Sequence, residues 1–235
     1  MGRMSKRAKE NAALVPSEAL EARDAVALVK KFKAPRFDQS VEVSMHLGVD
    51  VRHADQMVRG SVSLPKGIGK SKRVVAFCAP EHEKDALAAG AVKAGGEELV
   101  REIEGGWMEF DVVVASPDMM RVISKLGKVL GPKGLMPSPK NGTVTPKVAE
   151  AVGEFAAGKV EYRADKGGNV HAIIGKMSFP EGDLVENFEH FLGTIEKARP
   201  SSVKGQYIKR VTLSGTMTPG VRVAVASDEE EGASS

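Results

Sequence analysis

The chain has 235 residues, 42% hydrophobic and 28% charged, with a net charge of +3 and a single cysteine, Cys78. That length can bury a sizeable core in one or two domains. The lone cysteine excludes an internal disulfide framework and fits a reducing compartment. No apolar run reaches the length of a membrane span, and the start of the chain, MGRMSKRAKEN, lacks the apolar centre of a signal peptide.

In chain order, a basic N-terminal arm leads to a helical pattern over 17–33. Ser17 is the candidate N-cap, and Leu20, Ala27, Leu28 and Lys31 fall near one face. Residues 41–49 alternate, with Val41, Val43, Met45, Leu47 and Val49 on one side and Glu42, Ser44 and His46 on the other. This predicts a half-buried strand. A short strand over 59–64 ends at Pro65, Gly67 and Gly69, a candidate linker.

The texture then changes. RVVAFCA (73–79) and FDVVVAS (110–116) read as strands buried on both faces. A helix over 81–92 follows the first, and a helix opened by Pro117 follows the second. Another helix covers 146–156. This strand–helix alternation predicts a small α/β layer with parallel strands. After Gly158 the first texture returns, with strands KVEYR (159–163) and VHAIIGKMSF (170–179). An amphipathic helix over 183–199 is stopped by Pro200, and strands YIKRVTLSG (207–215) and GVRVAVA (220–226) follow. There is no internal repeat. The architecture expected is two domains, α/β and α+β. A discontinuous α+β domain (1–66 and 159–235) carries an inserted, smaller, Rossmann-like α/β domain (67–158), and 228–235 forms an acidic, disordered tail.

Charge is unevenly placed. Segments 1–66 and 159–235, without the acidic run 228–231, hold 22 Lys and Arg against 15 Asp and Glu, whereas 67–158 holds 12 of each. Within the insert, residues 119–149 contain no Asp or Glu. They carry six cations: Arg121, Lys125, Lys128, Lys133, Lys140 and Lys147. Glycines and prolines punctuate the stretch, which reads as a basic loop suited to a polyanion. A solvated loop with uneven charge is the plainer alternative.

Catalytic motifs are missing. Gly69-Lys70-Ser71 ends like a phosphate-binding loop, but Leu64 stands where that motif needs its first glycine. Gly67 and Gly69 fail as a dinucleotide fingerprint, because Lys72 stands at the third glycine position. The five histidines are scattered, no spacing suggests a metal site, and no serine sits in a nucleophile elbow. No catalytic residue, metal or cofactor is expected. An enzyme that binds a nucleotide through the insert would need a phosphate cradle near Pro80. That turn, CAPEH, has two acids and no glycine.

Several segments, taken in order, resemble a known family. They are RFDQSVEV (36–43), DQMVRGSVSLPKGIGK (55–70), GGWMEFDVVVASPDMM (105–120), KLGKVLGPKGLMPSPKNGTV (125–144), VEYRADKGGNVHAIIGK (160–176) and SGTMTPGVRV (214–223). The resemblance is to the ribosomal protein "L-one" family of the large-subunit stalk beside the tRNA exit site, in its bacterial form. It implies a two-domain protein whose discontinuous domain grips large-subunit ribosomal RNA in the stalk region, and it implies no catalysis. It also implies contact with exit-site tRNA as deacylated tRNA leaves, and repression of the protein's own messenger RNA. The protein would be monomeric when free, and cytoplasmic and ribosome-bound in the cell, with no membrane partner. A free RNA-binding repressor would use the same site.

The resemblance also implies site residues. Phe37 matches a family phenylalanine. Arg36 stands for a common Lys, Ser40 for a Thr and Asp24 for a Glu. Asp165 and Lys166 match a family loop in which Gly167 replaces a hydroxyl residue. Thr216 and Met217 match the Thr-Met-Gly-Pro core, but Thr218 stands where that core has glycine. A β-branched residue there admits neither close backbone approach nor positive φ easily. Arg121, Lys125, Lys128, Lys133 and Lys140 form a secondary basic loop.

Overall fold

The computed structural model describes residues 5–225, so the acidic run and the tail to 235 lie outside the described residues. The fold mixes helices and sheets. In chain order the elements are α1 (Lys6–Ala13), α2 (Ala22–Lys31), β1 (Ser40–Leu47), β2 (Arg59–Val62), β3 (Val74–Phe77), α3 (Pro80–Ala88), β4 (Ala91–Gly95), α4 (Glu97–Glu104) and β5 (Val112–Ala115). Then come two one-turn helices, α5 (Met120–Ile123) and α6 (Gly127–Leu130), and α7 (Val148–Ala156). The chain closes with β6 (Val160–Arg163), β7 (Asn169–Lys176), α8 (Glu181–Lys197), β8 (Ile208–Gly215) and β9 (Val221–Val223). Two compact units result: residues up to Gly69 with those from Tyr162 onward, and Lys70–Glu161.

The discontinuous unit is built on an antiparallel sheet in the order β7-β1-β8-β9. The alternation of β1 works as read. Val41, Val43, Met45 and Leu47 are buried, while Ser40, Glu42, Ser44 and His46 are half-buried on the other face. The apolar face packs on α2 and α8, which contribute Ala25, Val26, Val29, Leu184, Phe188, Phe191 and Ile195. Full burial of each large apolar side chain contributes about 1.5–3 kcal/mol. β2 and β6 form a separate two-stranded sheet.

In this unit the N-terminal arm is a helix, α1, capped by the Ser5 hydroxyl. The next helix starts at Ala22, not near Ser17. Leu20 instead bridges to Val223, donating its N–H to the Arg222 carbonyl. The buried face of α2 is Ala25, Val26 and Val29, whereas Ala27 and Leu28 are half-buried and Lys31 is exposed. The helix is shorter than the pattern suggested and is rotated by the sheet it packs against.

The unit Lys70–Glu161 holds a parallel sheet in the order β4-β3-β5. α3 and α7 cover one face. α4 and the segment around α5 and α6 cover the other, burying Leu99, Val100, Ile103, Ile123, Leu126 and Leu130. The helix expected over 81–92 ends at Ala88, because Gly90 turns with φ 104° and Ala91–Gly95 becomes edge strand β4. The helix opened by Pro117 is broken into 3-10 turns, α5 and α6. Ser124 Oγ donates to the Met120 carbonyl at 2.7 Å, a bond that bends helices.

One buried polar residue organises the chain after β2. Asn187 on α8 is fully buried. Its Oδ1 accepts the Lys66 N–H at 3.0 Å, and its Nδ2 donates to the carbonyls of Gly67 (3.0 Å) and Ile174 (2.8 Å). Asn187→Leu strands three main-chain groups and lowers unfolding stability by about 2–4 kcal/mol. Both tyrosines, Tyr162 and Tyr207, lie in the discontinuous unit and the only tryptophan, Trp107, in the other. Urea unfolding followed by tyrosine emission therefore shows an earlier midpoint for Asn187→Leu. An unchanged midpoint contradicts the role given to Asn187.

Candidate nucleic-acid interface

The face of the four-stranded sheet turned away from α2 and α8 carries polar rows set by strand register. His171, Ser44, Thr212 and Arg222 stand side by side on β7, β1, β8 and β9. Asn169, His46 and Arg210 form the next row. Ser44 Oγ and His171 Nδ1 are hydrogen-bonded at 2.9 Å, as are His46 Nδ1 and Asn169 Oδ1 at 2.9 Å. Lys209, Arg210 and Arg222 are exposed. A shallow hollow of about 520 Å³ lies here, lined by Ser44, His46, Asn169, Lys209, Arg210 and Thr212. None of these residues was singled out from the sequence, although the period-two pattern of β1 already assigned Ser44 and His46 to this face.

Apart from Asp24, the site residues expected in this unit fall at opposite ends of that face. At one end, Ser40 opens β1 and Gly215 closes β8. Thr216 and Met217 are the middle of a turn in which the Thr218 N–H donates to the Gly215 carbonyl at 3.1 Å. Thr216 is tied to Ser40. Its N–H donates to the Ser40 carbonyl (3.1 Å), and its hydroxyl oxygen accepts the Ser40 N–H (3.2 Å). Lys176 Nζ donates to Ser40 Oγ at 3.0 Å. The preceding residue, Gln39, is fully buried, and its Oε1 accepts the Met217 N–H at 2.8 Å. This network leaves two large apolar side chains outside, Phe37 at 53% and Met217 at 55% exposure. Arg36 is exposed beside Phe37.

Thr218 fits an ordinary backbone, since no described non-glycine residue has positive φ. Its Oγ1 accepts the Gly215 N–H at 2.8 Å, a second bond across the turn that glycine could not make.

At the other end, Asp165, Lys166 and Gly167 form the turn into β7, beside His46 and Asn169. β1 spans eight residues, so the two ends are about 24 Å apart. Asp165 Oδ1 accepts the N–H groups of Gly167 and Asn169, each at 2.8 Å. The positive φ in this turn belongs to Gly168 (76°), not Gly167. Asp24 joins neither end. It is exposed in the first turn of α2, where a carboxylate suits the helix dipole.

In the second unit, all six cations of 119–149 are exposed. Lys147 pairs with Glu150 at 3.0 Å. Among the described residues, Arg121, Lys125, Lys128, Lys133 and Lys140 make no ion pair. The stretch is not an open loop, because Ile123, Leu126 and Leu130 anchor its first half in the core. Val144 bridges to Ala115 at the edge of β5. The turn after β3 carries Glu81 and Glu83 in the first turn of α3, and no glycine. Cys78 is fully buried there, and burial pushes its thiol pKa up.

The Asn169 N–H, then the Asn169 amide and the Gly167 N–H, hold the Asp165 carboxyl below its ordinary pKa. A depressed folded value contributes stability above the unfolded pKa, near 4, and loses it as pH falls through the folded value. Asp165→Ala therefore has a lower Tm than the parent at pH 7, and the gap closes as pH falls below about 4. A gap that persists unchanged to pH 2 contradicts this account.

Residues 29–219 match the family model described as the ribosomal protein L1p/L10e family. α1 and the first turns of α2 precede the matched segment.

Proposed function

The chain belongs to the ribosomal protein L1p/L10e family, structural RNA-binding proteins of the large ribosomal subunit and not a family of enzymes, and from this premise we propose that the open sheet face of its discontinuous unit is the ribosomal RNA grip. The observation that carries the proposal is that Phe37 and Met217 are both exposed where Gln39 and Ser40 are bonded to the 215–218 turn, at the end of a polar, cationic sheet face. RNA hides its major groove, so proteins meet it through phosphates, 2′-hydroxyls and unstacked bases. Ser40, Thr216 and their main-chain partners offer short hydroxyls, while Phe37 and Met217 offer a surface for bases. Asp165, Lys166 and Gly167 would meet the same RNA about 24 Å away, roughly the span of a short helical segment. Asp24 stays a candidate only for RNA that passes along α2.

The finer assignments belong to the same proposal. The discontinuous unit is the RNA-binding domain, expected over 1–66 and 159–235. The Lys70–Glu161 unit, expected over 67–158, is an inserted Rossmann-like domain. The RNA is the stalk region beside the tRNA exit site, in a cytoplasmic ribosome. The exposed cations of 119–149 make a second, salt-sensitive contact, with exit-site tRNA as the candidate. Repression of the protein's own messenger would use the same sheet face, because one RNA-shaped site serves both RNAs.

The test uses side chains that make no hydrogen bond or ion pair among the described residues. Phe37→Ala and Met217→Ala leave the fold intact and each weaken binding to a stalk RNA fragment by about 1–3 kcal/mol, read by filter binding at fixed salt. Thr216 is a poorer probe, since its hydroxyl also holds Ser40. Full affinity in both alanine variants moves the RNA site elsewhere.

A further inference from the structure

α1 lies outside the matched segment 29–219, yet it is bonded to the sheet end that carries Met217. Arg7 Nη1 donates to the Met217 carbonyl at 3.0 Å and reaches the Lys33 carbonyl at 3.5 Å. Asn11, one helical turn further on and 1% exposed, holds the same junction. Its Nδ2 donates to the Lys33 carbonyl at 3.2 Å, and its Oδ1 accepts the Lys33 N–H at 2.9 Å. Arg7 and Asn11 are i and i+4, so one face of α1 docks where α2 ends.

The charge at this junction is unbalanced. Glu10, the only acid on α1, is taken by Lys33 Nζ at 2.9 Å. Among the described residues, Arg7 makes no ion pair. Its guanidinium has five N–H donors in a planar fork, and the bonds described use Nη1 alone. Arg7 is only half-buried, so part of it stays open to solvent beside the turn that carries exposed Met217. A planar cation beside an exposed base-sized surface suits a nucleic-acid phosphate flanked by unstacked bases.

We propose that α1 is part of the RNA-binding surface, with Arg7 fixing the Met217 turn and presenting its remaining guanidinium donors to an RNA phosphate. This deepens the reading of the sheet end as the RNA grip and rests on it. Arg7 then has two roles that charge-preserving and charge-removing substitutions separate. Lysine keeps the charge and loses the fork, whereas glutamine loses both.

The experiment measures binding of the full chain to a stalk RNA fragment across a salt series, for Arg7→Gln, Arg7→Lys, Phe37→Ala and Met217→Ala. Arg7→Gln is expected to weaken binding about tenfold and to reduce the slope of log K against log salt by about one. Arg7→Lys is expected to keep the parent slope while losing affinity severalfold. If Arg7→Gln unfolds, the Arg7→Lys slope and affinity still decide. A loss of affinity in Arg7→Gln with the parent salt slope reduces Arg7 to a structural brace and overturns the phosphate role. If Phe37→Ala and Met217→Ala weaken binding but Arg7→Gln does not, the α1 inference falls and the RNA reading stands. If Phe37→Ala and Met217→Ala bind as the parent does, both fall.

Discussion

The structure depends on β1 being hydrogen-bonded along both edges by strands that come far later in the chain. β7 pairs with one edge and β8 with the other, and all three are antiparallel neighbours in one sheet. Residues before 70 cannot complete this sheet without residues after 162, so the intervening segment must leave and return. The register is pinned by the alternation of β1, since a one-residue slip would exchange Val41, Val43, Met45 and Leu47 for Glu42, Ser44 and His46 on the helix-covered side. The same constraint makes the other face continuous and polar. It also places Ser40 and His46 at opposite ends of one surface.

The two ends of that surface are built by short polar side chains that bond back to main chain. Asp165 gathers the N–H groups of Gly167 and Asn169, and Thr218 takes that of Gly215. Gln39 and Thr216 do the same between β1 and the 215–218 turn. Rigid turns with satisfied backbones allow large side chains to stand in solvent without loosening the chain. Phe37 and Met217 are exposed on such a base. A binding surface that is already ordered costs less conformational entropy when it is used.

Much of this was legible in the sequence where one physical rule acts alone. The alternation of β1, the buried strands β3 and β5, and the amphipathic α8 each follow from burial on one face or two. The motifs at 36–43, 160–176 and 214–223 pointed to the family that the match over 29–219 supports. Legibility failed where tertiary contacts outvote local pattern. β4 is AVKAG, poor in β-branched and aromatic residues, and it is a strand because β3 offers it a parallel edge. Leu20 resembles the first apolar residue of a helix but pairs with β9 instead. α1 has little apolar periodicity and is held by Asn11 and Arg7, polar residues whose partners are 22 to 210 positions away. No local pattern could have shown that Asp165 and Thr216 lie at opposite ends of one strand, because strand order decides it.

The carboxylate-free stretch shows how burial and charge divide one segment. Ile123, Leu126 and Leu130 follow a helical spacing and are fully buried, which fixes the orientation of the backbone around them. Lys125 and Lys128 lie between those anchors and Arg121 two residues before the first, and all three are exposed. Acids on the same side would form the i, i+3 and i, i+4 pairs seen between Lys147 and Glu150. Their absence leaves five cations without ion pairs on an ordered support. Pairing contributes little at an exposed site, so stability gives small reason to avoid acids there. A polyanion partner gives a stronger reason, since each acid would repel phosphate and each free cation can release a counterion on binding. The apolar periodicity of this segment therefore belongs to the core of its own unit, and the partner proposed for its exposed cations would account for the absence of acids among them.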